Sequence, residues 1–138
     1  MKYIIISLMC LLAFSSGIVW ADVVIIAHKD VPETEITEKG LQEIFLGKRV
    51  QWKDNSVVHP ATVKEAELHE AFLEQYMKKS PSQWITHWKR MVFTGNGTPP
   101  EQFANQQELL EYVTNTKGAI GYVDAEFPIE NVIIIEVQ

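Results

Sequence analysis

Beyond residue 21 the chain has no cysteine. That excludes disulfides, thiol catalysis and cysteine-ligated metals from everything after the leader. Basic charge is scarce too. Of 12 basic residues Lys2 lies in the leader, so 11 face 18 acidic ones, a formal charge of −7 with neutral histidines. Nucleic-acid affinity rests mainly on phosphate contacts, so nucleic acid is not expected as a partner. The sequence has no internal repeat and no low-complexity tract. It has no catalytic triad and no paired carboxylates at a strand end. "HEAFL" (69–73) lacks the second histidine of a zinc-protease helix. Ser80 and Ser82 are explained by a helix cap. On these absences no enzyme activity, resident metal or cofactor is expected.

What is present begins with "MKYIIISLMCLLAFSSGIVWA", which has a basic start at Lys2 and an apolar run from Tyr3 to Phe14. Val19 and Ala21 fit a secretory cleavage site, so residues 1–21 read as a signal peptide. The run is short for a membrane span of about 20 residues. Cys10 follows Met9 inside that run, which argues against lipid attachment there. The expected product is an exported, periplasmic domain over 22–138 with no membrane span after cleavage.

Within that domain, "DVVIIAHKD" (22–30) reads as a strand buried on both faces, as in parallel sheets. Thr37 is a plausible N-cap for "EKGLQEIFLG", with Leu41, Ile44 and Phe45 on one face. "VVHPATV" (57–63) is a second strand. Leu68, Phe72, Leu73, Tyr76 and Met77 then form a helical apolar stripe. Ser80, Pro81 and Gln83 open the next helix as a capping box, with Trp84, Trp88, Met91 and Val92 on one face. Trp84 and Trp88 read as core. Asn105 with Glu108 opens a last helix, and "AIGYV" and "NVIIIEVQ" are strands. Four strands interleaved with four helices predict an α/β domain with a mostly parallel sheet of about 4–5 strands. It reads as one lobe.

Three segments, "LQEIFLGKRVQWKD" (41–54), "VFTGNGTPP" (92–100) and "GAIGYVDAEF" (118–127), carry a family resemblance. They resemble the substrate-binding proteins of ABC phosphate transporters, within the type 2 periplasmic binding superfamily. The nearest likeness is to short, single-lobe members. The resemblance implies a non-enzymatic protein that binds a small oxyanion such as phosphate. It implies a transporter permease or another envelope protein as partner. Full-length members close two lobes around their ligand, so a second protein or a second copy would supply the other wall here. The competing reading is an interaction or sensor-accessory protein that keeps only the scaffold.

In that family the junction matching "PATVKEAELHEAF" (60–72) carries arginine, glycine, serine and threonine. Here Thr62 is the only hydroxyl, and Lys64 and His69 are the only cations. Those three are the candidate anion ligands. Glu65 and Glu67 oppose them. A carboxylate about 6 Å from one phosphate charge costs roughly 3 kcal/mol at an effective dielectric of about 20. A helix N-terminus returns only about 0.3–1 kcal/mol to an exposed anion. The blander reading is that both glutamates simply favour a helix start. If neighbouring parallel strands bring their ends together, His28, Asp30, Glu67 and His69 would form a metal or pH-sensitive cluster. His59 lies in the second strand, and His87 is expected to face water.

Overall fold

The computed structural model describes residues 22–138. The expected signal peptide and Cys10 lie outside the described residues. In chain order the elements are β1 (Val23–His28), β2 (Glu35–Ile36), α1 (Glu38–Phe45), β3 (His59–Val63) and α2 (Ala66–Phe72). After a π-helical turn, Leu73–Met77, come α3 (Pro81–Phe93), β4 (Glu101–Phe103), α4 (Gln106–Asn115), β5 (Ala119–Asp124) and β6 (Val132–Val137).

The strands form one sheet in the order β2-β6-β1-β5-β3-β4. β3 is parallel to β4 and β5, and β2 is parallel to β6. β1 alone runs against both its neighbours. The expected α/β class stands, with two corrections. The sheet has six strands, because the edge strands β2 and β4 have only 2 and 3 residues and leave no periodic pattern. The expected parallel pairing of "VVIIAH" is also wrong. An all-apolar run encodes burial on both faces, which β1 has at the sheet's centre, but not direction.

Local chemistry sets the helix starts. Thr37 Oγ1 accepts from the Gly40 N–H at 3.0 Å, and Asn105 Oδ1 from the Glu108 N–H at 3.0 Å. Ser80 and Gln83 close a reciprocal capping box. Leu41, Phe45, Phe72, Leu73, Leu109 and Val113 are fully buried against the sheet. Each large side chain so buried stabilises the fold by roughly 1.5–3 kcal/mol. Phe72 stacks on Tyr122 of β5 with ring centroids 4.0 Å apart, and Phe45 meets Phe72 edge-on at 4.8 Å.

Both glycines of "GAIGYV" have steric reasons. Gly118 has φ of +81°, and a Cβ there would lie 2.1 Å from the Val57 carbonyl oxygen. Its own carbonyl accepts from the buried Trp52 indole N–H at 3.0 Å. At Gly121 a Cβ would come within 2.7 Å of Leu109 Cδ2, so the glycine lets α4 lie close on β5.

Candidate functional site

The β3–α2 junction begins with Thr62, which is 3% exposed, and Val63, which is fully buried. The Val63 N–H donates to Tyr122 Oη at 3.2 Å. The same oxygen lies 2.6 Å from His69 Nδ1. Burial pushes the Tyr122 pKa well up, so its hydroxyl keeps its proton. The Tyr122 hydroxyl and His69 Nδ1 share that hydrogen bond, its direction set by the imidazole tautomer. Burial lowers the His69 pKa, which favours the neutral ring. His69 also packs edge-on against Trp84.

The junction continues with Lys64, an exposed side chain whose backbone N–H donates to the Phe103 carbonyl at 2.8 Å. Glu65 is the N-cap of α2 but makes no side-chain cap bond to that helix. Its Oε1 instead accepts the Gln106 N–H at 2.8 Å. Gln106 is the first residue of α4, so a carboxylate of the chain itself occupies the positive end of that helix. The Gln106 side chain accepts from the Asp124 N–H at the end of β5, at 3.0 Å. Glu67 is exposed. The ends of β3 and β5 and the starts of α2 and α4 are thus tied by internal polar bonds.

Thr62 alone of the three candidate ligands lines an open groove of about 610 Å³. α3 forms one wall through Trp84, Ile85, Trp88, Lys89, Val92 and Phe93, and Pro99, Pro100 and Gln102 form the other. Trp84 and Trp88 are 9% and 6% exposed and meet edge-on at 6.2 Å, so the expected core role holds for most of their surface. The Trp88 indole N–H is buried without an acceptor. A second cavity of about 620 Å³ shares Trp88, Pro99 and Pro100 and reaches Arg49, His59 and Glu101.

Three expectations need correction. Val92 does not share the buried face of Trp84 and Trp88; it is 53% exposed. His87 does not face water. It is half-buried, and its Nε2 donates to the Leu46 carbonyl at the end of α1, at 3.0 Å. His28 and Asp30 do not join Glu67 and His69. β1 is antiparallel to β5, which puts His28 near the Ala119 end of the sheet while His69 contacts Tyr122. Among the described residues no group of three or more histidine, cysteine or acidic side chains is placed to hold a metal. No helix there is long and apolar enough to cross a membrane.

Sequence reading missed Tyr122 and Gln106, whose partners His69 and Glu65 lie 53 and 41 residues away in the chain. Ile85 and Phe93 left a signal: apolar positions on α3 outside the Trp84–Trp88 face.

No protein-family model and no curated protein matches the chain. Solved structures do. One is a structure with bound phosphate from Clostridium perfringens, assigned as a phosphate ABC transporter substrate-binding protein. It is 18% identical with a TM-score of 0.66, over 85% of this chain and 45% of the other. An ABC-type phosphate transport receptor from Vibrio cholerae is 14% identical with a TM-score of 0.59, over 85% and 46%. PstS from Borrelia burgdorferi is 14% identical with a TM-score of 0.66, over 86% and 47%. This chain therefore spans less than half the length of the proteins it matches, and over that span it has the fold of the phosphate ABC transporter substrate-binding proteins.

Proposed function

We propose that this protein is a periplasmic lobe of the phosphate-binding type that works as a non-enzymatic interaction or sensor-accessory protein. It keeps the scaffold and has given up tight oxyanion capture. The observation that carries this reading is the Glu65 carboxylate bound to the Gln106 N–H. It occupies the backbone donor at the start of α4, beside the expected junction, and repels a second anion there. Burial lowers the His69 pKa and favours its neutral ring, which withholds charge from an anion there. Calorimetric titration of the purified protein with phosphate at low and moderate salt tests the reading. Silence, with no melting-temperature shift at millimolar phosphate, is the expected result. Micromolar binding would sink it.

The second reading is weak capture of a small oxyanion such as phosphate on an open face, in the service of a transporter permease. Likeness to a phosphate-bound structure favours it. So does the buried Thr62, which lines the same groove as Lys89. In that case a second protein or a second copy supplies the opposing wall.

A further inference from the structure

We propose that the groove between α3 and edge strand β4 docks an acidic amphipathic helix of a partner protein. The inference rests on the interaction reading above and names the surface and the chemistry of the partner.

Exposed apolar surface is concentrated there. Of the six large hydrophobic residues left exposed among the described residues, Ile85, Val92 and Phe93 share this one helix. Phe93 is 92% exposed at the groove rim. A phenylalanine left in water forgoes roughly 1.5–3 kcal/mol of burial, which docking recovers. Ile85, Lys89, Val92 and Phe93 are spaced i, i+4, i+7 and i+8, which is the footprint a helix reads. Contiguous exposed apolar surface of this kind marks a contact site.

Charge selects the partner. The chain as a whole is acidic, yet α3 carries Lys89 and Arg90 and no aspartate or glutamate. Among the described residues neither Lys89 nor Arg90 makes an ion pair. The groove lining includes Lys89 and Thr62 and no carboxylate. An occupant with acidic residues beside its apolar face satisfies both features.

Competing occupants fit less well. A second copy seated on the same patch across a two-fold axis would set the groove and its Lys89 against an identical lining that offers no carboxylate. A bilayer surface is flat and would leave the buried Trp84–Trp88 wall of a concave groove unfilled. An added β-strand is opposed by the edge itself, because β4 has 3 residues and is entered through Pro99 and Pro100.

The test is an unbiased selection. A displayed library of helix-forming peptides of about 16 residues, varied in charge and apolar pattern, is panned on the purified protein. Binders to the Phe93→Ser variant are removed. Enrichment of acidic amphipathic sequences is expected. The Lys89→Glu variant should bind the selected peptide about tenfold more weakly or worse. Ile134→Ser, which alters exposed apolar surface on β6, should stay within about twofold of wild type. Phe93 is solvent-exposed, so its loss leaves the fold intact, as circular dichroism would check.

No enrichment, enrichment of basic peptides, or indifference to Lys89→Glu would overturn the proposal. So would flotation of the protein with phosphatidylglycerol vesicles, or a dimer in sedimentation that Phe93→Ser disperses. The two readings fail separately. Micromolar phosphate heat removes the interaction reading. A silent phosphate titration with a failed selection removes only this docking surface.

Discussion

His69 Nδ1 lies 2.6 Å from Tyr122 Oη, and Tyr122 Oη in turn receives the Val63 N–H at 3.2 Å. One hydroxyl joins β3, α2 and β5 at the end of the sheet where a ligand site is expected. It also gives the fold a pH dependence whose sign is fixed. The folded-state pKa of His69 is lowered by burial from its ordinary value of 6.5. Above about pH 6.5 the ring is neutral in both folded and unfolded chains, and its share of stability is intact. As pH falls, the unfolded chain takes up the proton first. Stability is lost from there down through the folded pKa, and the loss levels off below it. Thermal midpoints from about pH 7 to about pH 5 should therefore fall less in His69→Gln than in wild type. Parallel curves would show that His69 does not govern this acid limb.

Tyr122→Phe removes the hydroxyl and leaves the Val63 N–H without its acceptor inside the core. The ring still stacks on Phe72, so packing is kept and the polar loss is isolated. The expected cost is about 1–3 kcal/mol in urea unfolding. A change below about 0.5 kcal/mol would mean that water replaces the hydroxyl.

Arg49 reaches Glu33 at 2.6 Å, and Glu33 also accepts the Lys53 N–H at 3.2 Å. The Glu33 side chain is only 4% exposed, against 25% for Arg49. Arg49→Ala strands a buried carboxylate and should cost about 3 kcal/mol. The double variant Arg49→Met with Glu33→Leu should recover much of that loss. Recovery measured by denaturant unfolding separates an uncompensated charge from lost packing, since a pure packing defect would not be rescued.

Gly118→Ala should be among the most damaging single changes. The residue has positive φ, and the new methyl group would meet the Val57 carbonyl oxygen. Relief requires moving the turn that also presents the Gly118 carbonyl to Trp52. A loss of about 2 kcal/mol or more is expected. The fluorescence of Trp52, isolated by substituting the other tryptophans, should shift red as its indole loses that acceptor.

What the sequence made legible follows from the range of each interaction. Thr37, Ser80 and Asn105 cap helices through bonds to residues three positions on, so their roles were readable. The β-branched runs announced β1 and β6 for the same local reason. Strand direction is not a local property, so β1 was given the wrong sense and His28 the wrong neighbours. The resemblance sets the expected ligand junction at residues 60–72, but the partners of its side chains are not readable there, because Glu65 is satisfied by Gln106 and His69 by Tyr122, both supplied by the far end of the chain. His87 was misread as exposed because its acceptor, the Leu46 carbonyl, lies 41 residues away.

The two glutamates of "KEAELHEAF" are alike in sequence but differ in the fold, and phosphate affinity should separate them. Glu65 is half-buried and holds the Gln106 N–H. Glu67 is exposed, where water and salt screen it to about 1 kcal/mol or less against a nearby anion. Glu65→Gln removes the charge while a side-chain oxygen remains for the Gln106 N–H. Its cost to stability should be about 0.3–1 kcal/mol, the worth of an anion at a helix start. Its gain in phosphate binding should be about tenfold or more, because up to roughly 3 kcal/mol of repulsion is relieved. Glu67→Gln should leave phosphate binding unchanged. Calorimetry on the two variants and on the Glu65→Gly, Glu67→Ser double variant decides the matter. If only the Glu65 variants gain heat, the carboxylate is what closed the site. If none does, one open face is too little to hold an oxyanion, whatever its charge.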